Sequence, residues 1–329
     1  MDDLTNKREQ EELSSLKLSL GYLLKNAAQI MKGIYLKENE DAKGAEVDIF
    51  GTILDLHWPH LFATAQYKLD MKRQEKLRKP AELPVEEDVK KVRDYSIQQI
   101  KTMVEDEYTI YGSYEFNRLR ALLVSRLTLF NARRGNEPAK LTLKEWNDAV
   151  SGAWVDPQRV VQIKDPIAEK MMGKFKLAYQ IGKNMKFVPL LIPLDCFKAI
   201  EKLQEIRSTI NVNKNNPYVF PMTMNSVKHA SGWHCVNEVC GYADVSNPTR
   251  LTATTMRHRA STMYAMMEVP DGEREAFYSH MGHSEHINKN VYQSPMALQE
   301  ICQVGSYLDA IDDTESVGML NLLLYMLLK

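Results

Sequence analysis

Apolar residues from Leu13 to Lys37 return at steps of three and four: Leu13, Leu16, Leu20, Leu23, Leu24, Ala27, Ile30, Met31 and Ile34. That period predicts an amphipathic helix. Ile49 to Leu77 predicts a second helix, interrupted near Trp58-Pro59 because proline has no backbone N–H to donate. The pattern changes at KPAELPVEED, residues 79–88. Pro80 and Pro84 fit poorly inside a helix, and the acidic run after them suits a helix start. The linker is placed at 80–88, between a helical N-terminal domain (1–79) and a larger domain (89–312), with an apolar tail at 313–329.

In the larger domain the periodicity predicts helices over Glu87–Glu105, Glu115–Asn131, Leu194–Ile210, Met224–Tyr242, Thr254–Glu268, Glu273–Met281 and Ala297–Asp312. Two alternating runs, Lys174–Ile181 and Lys186–Ile192, flank Gly182-Lys183-Asn184 and predict a hairpin. The expected fold class is mainly α with a small β-sheet (α+β). No internal repeat or low-complexity tract is present.

Composition narrows the picture only modestly. The chain has 329 residues, 44% hydrophobic and 26% charged, enough to bury a core in two unequal domains. Its net charge of −1 is unlike that of many nucleic-acid binders, but the placement of cations matters more than their sum. Lys68, Lys72, Arg73, Lys76, Arg78 and Lys79 crowd one stretch against Asp70 and Glu75, which reads as a solvated helix face or a phosphate-contacting surface. Cys196, Cys235, Cys240 and Cys302 are irregularly spaced, as expected of reduced thiols. His234, Cys235 and Cys240 lack a second ligand pair of fitting spacing, so no metal site is expected. The polar N-terminus has no apolar signal core, so secretion is not expected. The run GMLNLLLYMLLK is far shorter than the ~20 residues a bilayer span needs, so no membrane partner is expected. It reads as a buried terminal helix, a segment docking on a neighbouring subunit, or a mispredicted gene end.

Cleaving a phosphodiester without metal requires cations for the non-bridging oxygens, a nucleophile, and a proton for the leaving oxygen. Candidates occur in a set order. LTLFNARRGNEPAKLTL places Arg134 three residues before Glu137; YQIGKNMKFVPL places Lys183 after a glycine. LTATTMRHRASTMYA carries Arg257, and SHMGHSEHINKNVYQ carries His283 with Tyr292 nine residues later. Singly, each residue has an ordinary explanation: a solvated arginine, a surface lysine, a salt-bridge partner, a structural histidine, a packed tyrosine. Their conjunction resembles the tyrosine recombinase (phage-type integrase) family over about Val85 to Leu308.

The resemblance implies a helical N-terminal core-binding domain that clamps DNA and a tyrosine-recombinase catalytic domain. It implies strand cleavage and rejoining through a 3′-phosphotyrosyl intermediate, with no cofactor. Tyr292 would be the nucleophile, Arg134 and Arg257 would clamp the phosphate, His283 would assist, and Lys183 would protonate the leaving oxygen. Double-stranded DNA and a homo-tetramer on two duplexes are the implied partners. Thr254 departs from the family, which usually has a histidine there. The long stretch between Arg134 and Lys183, including residues 145–162, is closest to eukaryotic Crypton-type recombinases. Residence would then be nuclear, and otherwise cytoplasmic. A domesticated, catalytically silent DNA-binding protein is the alternative; a type IB topoisomerase and a helical protein with coincidental motifs are more remote.

Overall fold

A computed structural model describes the chain except residues 1–4, 7–10, 79–82, 157, 159, 161–164, 183–184, 186, 268, 295–296, 298–299 and 313–329. The tail, Lys79 and Lys183 therefore lie outside the described residues, as do the side chains of Arg73, Lys76 and Arg78. The chain divides into two compact units, Met1–Leu77 and Arg78–Lys329. It is mainly α-helical, with one hairpin sheet in the larger unit and a two-residue strand pair, β1 (Thr5–Asn6) and β2 (Glu11–Glu12), in the smaller. Among the described residues no helix is long and apolar enough to cross a membrane.

The smaller unit is built on α1 (Ser14–Lys37) and α2 (Asp41–Arg78). They meet where α1 is smallest: a Cβ on Gly21 would come within 2.6 Å of the Phe62 ring. Leu18, Leu54, Phe62 and Ala65 form the buried cluster. Leu16, Leu23, Ile30 and Ile34, the apolar stripe that marks α1 in the sequence, remain exposed. The expected interruption at Trp58-Pro59 does not occur, because α2 runs unbroken through Pro59. Packing compensates for the missing backbone bond. Trp58 lies 4.3 Å from Phe62 and 3.9 Å below the Lys25 ammonium, which pairs with Asp55 at 2.5 Å. Lys68 and Lys72 are exposed on α2.

The larger unit begins with α3 (Glu86–Glu105) and α4 (Ser113–Phe130). Phe116, Leu119, Leu122, Leu123, Val124 and Leu127 are all buried, which makes α4 the central helix of the core. Next come α5 (Leu143–Val150) and α6 (Pro166–Lys174). The antiparallel hairpin of β3 (Phe175–Ile181) and β4 (Phe187–Pro193) follows, in register from Phe175↔Pro193 to Ile181↔Phe187. Trp146 is buried in the core and Trp154 stands 4.8 Å from Tyr179 of β3, so this region packs on the hairpin.

Four longer helices follow among the described residues: α7 (Leu194–Glu205), α8 (Gly232–Tyr242), α9 (Ala253–Ala265) and α10 (Asp271–Met281). The helix expected over Met224–Tyr242 begins only at Gly232. Met224 and Asn225 take left-handed conformations at φ 61° and 56°, and the Asn216 amide donates to the Ser226 and Lys228 carbonyls, so a turn replaces the first half. Of the helix expected over Ala297–Asp312, the described residues include a π turn at Glu300–Val304 followed by an α-helix over Gly305–Asp312. Cys196, Cys235 and Cys240 are buried, and burial pushes the Cys235 and Cys240 thiols up to about 11, as suits packing residues.

Candidate active site

The loop after α4 carries adjacent arginines with different environments. Asn131 closes the helix by donating to Leu127 O (3.0 Å) and Leu191 O (2.9 Å) while accepting from Leu191 N (2.9 Å), which stitches α4 to β4. Arg133 is wholly buried; it donates to Glu137 Oε2 and to the His280 carbonyl. Burial lowers its pKa to about 10. Arg134 is 39% exposed and reaches Glu137 Oε1 at 3.1 Å. Burial alone would raise the Glu137 carboxyl, but Arg133 and Arg134 outweigh it and hold it below the usual range. One carboxylate thus holds two guanidiniums. Arg133 locks the loop, while Arg134 keeps part of its surface open to a ligand.

Arg257 projects from α9 and is buried. It donates to Ala132 O (3.2 Å) and Met281 O (2.7 Å), joining the arginine loop to the end of α10. Burial lowers its pKa, yet arginine stays cationic near neutral pH. Its guanidinium carbon sits 4.8 Å from the centre of the Tyr292 ring. Three guanidiniums therefore converge with Glu137 as the carboxylate between them, and an excess of positive charge remains.

His283 and Tyr292 are brought together by two local devices. Gly282 ends α10 in the left-handed conformation (φ 70°), and His283 N donates to Tyr278 O at 3.2 Å. Ser284 then caps a single turn, Glu285–Ile287, which runs into a π turn, Asn288–Tyr292. Single π turns are often found at functional sites. Together they fold the nine-residue step back on itself. The His283 and Tyr292 rings stack with centroids 4.7 Å apart and planes 11° from parallel.

Burial first, and then the field of Arg257, lowers the His283 pKa to about 4. It is therefore neutral at pH 7 and has one N–H to donate. Stability should follow from this depression. Above about pH 6.5 the term is constant; as pH falls toward 4 the unfolded chain takes up a proton that folded His283 refuses, and stability is lost. The loss expected is about 1 kcal/mol after allowance for solvent at this half-buried ring. Denaturation midpoints from pH 7 to 4 should fall less in His283→Gln than in the wild type.

Of the five motif residues, Arg134, Arg257, His283 and Tyr292 fall in one region, since Arg257, Arg134 and Arg133 all act on His283 and Arg257 meets Tyr292. Lys183 lies outside the described residues. Gln180, on the strand leading to it, donates to Glu137 O at 3.0 Å and ties the hairpin to the arginine loop. Thr254 is exposed in the first turn of α9. Arg134 borders two cavities. One, of about 500 Å3, includes Lys140, Gln180 and Gly182; the other, of about 560 Å3, includes Trp233, Asn237 and Thr254. A larger cavity of about 820 Å3 is walled mainly by apolar residues such as Trp154, Met171 and Phe175, which suits it poorly to a phosphate.

Three residues outside the motif positions hold this geometry. Arg133 looked interchangeable with its neighbour until burial separated them. His280, whose Nε2 lies 3.2 Å from Asn131 O, had no sequence signal. Gly232 is set so close to the arginine loop that a Cβ there would overlap the Gly135 carbonyl, while its N–H donates to Asn136 Oδ1 at 3.1 Å. Gly232→Ala must displace one backbone or the other. A stability loss of about 1–3 kcal/mol is expected, readable as a lower denaturation midpoint. An unchanged midpoint would show that the two segments do not pack this closely.

No family model and no curated protein matches the chain. Solved structures do, among them two of XerH site-specific recombinase. The complex with palindromic difH substrate, post-cleavage, matches at 13% identity over 69% of this chain and 53% of that chain, with a TM-score of 0.42. The pre-cleavage complex with difH matches at 14% over 68% and 53%, also at 0.42. The chain spans about half the length of these structures.

Proposed function

We propose that this chain breaks and rejoins DNA as a tyrosine recombinase. The observation that carries the proposal is the meeting of Arg257 and His283 on the ring of Tyr292, beside the half-exposed Arg134. A phosphodiester placed there finds cations for its non-bridging oxygens and a neutral imidazole donor. The Tyr292 oxygen attacks phosphorus, a 3′-phosphotyrosyl bond forms, and the bond to the 5′-oxygen breaks. Lys183, which lies between β3 and β4 in the sequence, supplies the proton that makes the leaving group a 5′-hydroxyl. A 5′-hydroxyl from another strand reverses the step. Bond energy is conserved throughout, so no nucleotide cofactor is required.

The partner is double-stranded DNA. Lys68 and Lys72, exposed on α2, would be the residues that meet phosphates, and exchange between two duplexes calls for a homo-tetramer. The long Arg134–Lys183 span favours a Crypton-type relationship and, with it, nuclear residence. One observation favours a second reading, a silent DNA-binding protein: exposed Thr254 has no group that moves a proton near neutral pH.

The test uses the full chain and nicked suicide duplexes taken from the DNA flanking its gene. A protein–DNA adduct that survives denaturation is the expected result. DNA retardation without any adduct would establish the silent reading instead.

A further inference from the structure

Tyr292 also rests against a histidine outside the motif positions. His258 follows Arg257 on α9 and is buried, with its ring centroid 5.1 Å from that of Tyr292 and the planes 52° apart. Residues 254, 257, 258 and 261 share one face of a helix by their spacing. Along that face stand Thr254 at the exposed start, Arg257 against the Tyr292 ring, His258 against the same ring, and Ser261. Ser261 Oγ donates to Asn288 Oδ1 at 2.7 Å, which anchors the beginning of the π turn. Thr262 Oγ1 accepts from Ser294 N at 2.9 Å, which anchors the chain just past Tyr292. α9 thus grips the nucleophile's segment on both sides, and His258 is what the ring between those anchors meets.

We propose that His258 is a positioning residue that holds the Tyr292 ring over the Arg257 guanidinium, an inference that rests on the recombinase reading. Its work is done by the flat ring. Because His258 and Arg257 are neighbours on one helix, the phosphate-holding cation and the attacking tyrosine are set by a single rigid element. A slip of the ring by about 1 Å costs on the order of 10²-fold in rate.

The experiment follows the carbon-13 signal of Tyr292 in the full chain, assigned through Tyr292→Phe, alongside single-turnover cleavage of the suicide duplex and DNA affinity. His258→Phe, which keeps a flat ring, should leave the signal single and cleavage near the wild-type rate. His258→Ala should shift or split the signal and slow cleavage on the order of 10²-fold, with DNA affinity unchanged. If His258→Ala does not fold, His258→Leu, which fills the space without a flat ring, replaces it. A wild-type signal and rate in the non-aromatic variant would overturn the proposal. So would a loss in His258→Phe equal to that in His258→Ala, since a ring nitrogen would then be the working part. If the wild-type chain cleaves no DNA, the recombinase reading fails, while the Tyr292 signal still decides whether His258 positions the ring.

Discussion

Tyr292→Phe is expected to abolish the covalent DNA adduct completely while leaving DNA affinity and the denaturation midpoint near those of the wild type. The substitution removes one oxygen and keeps the ring. Phenylalanine preserves the stack on His283 at 4.7 Å and the contact with the Arg257 cation at 4.8 Å, so packing has little reason to change. The hydroxyl is the group that would become bonded to phosphorus, and nothing else on the ring can replace it. The readouts are a denaturing gel for the adduct and a retardation assay for binding. An adduct that persists in Tyr292→Phe would transfer the nucleophile's role to another residue. Lost binding would mean that the hydroxyl serves the complex and not the chemistry.

Arg257→Ala is expected to act on rate and stability together. Losing one preorganised donor at a developing charge typically costs on the order of 10²–10³ in rate. Arg257 is also buried and serves two backbone carbonyls, Ala132 O and Met281 O. Alanine leaves both without that donor and opens a cavity, so a stability loss of about 3 kcal/mol is expected. Arg257→Lys should recover little, because an ammonium lacks the planar fork that spans both carbonyls. Arg134→Ala provides the contrast. Arg134 is 39% exposed and bonded only locally, to Glu137, so its loss should slow cleavage with a much smaller change in midpoint. Equal midpoint losses in the two alanine variants would contradict the division between a buried and a half-open arginine.

Part of the candidate site's geometry was legible in order and spacing. Gly282-His283 followed by Tyr292 is a local signal, because a left-handed glycine, a serine cap and one π turn are made by adjacent residues. Arg133 and Arg134 were not separable in the same way. Nothing in NARRGNEP says that one guanidinium lies under the His280 carbonyl, because α10 arrives there from nearly 150 residues away. His258 was silent for the same reason. Its significance comes from meeting the Tyr292 ring, a contact made only when the π turn docks on α9.

The fold divides along the same line. By itself the sequence determined a mainly helical chain, the hairpin to within a residue, and the order of its chemical groups, because periodicity and turn residues act over a few positions. Tertiary structure decided the rest. It carried α2 unbroken through Pro59, since Trp58 and Phe62 pack against α1 at Gly21. It turned the apolar stripe of α1 away from α2, because periodicity reports that a face is apolar but not what lies opposite. It also chose which arginine stays partly exposed, because burial is set by segments distant in the chain, and no local pattern encodes their arrival.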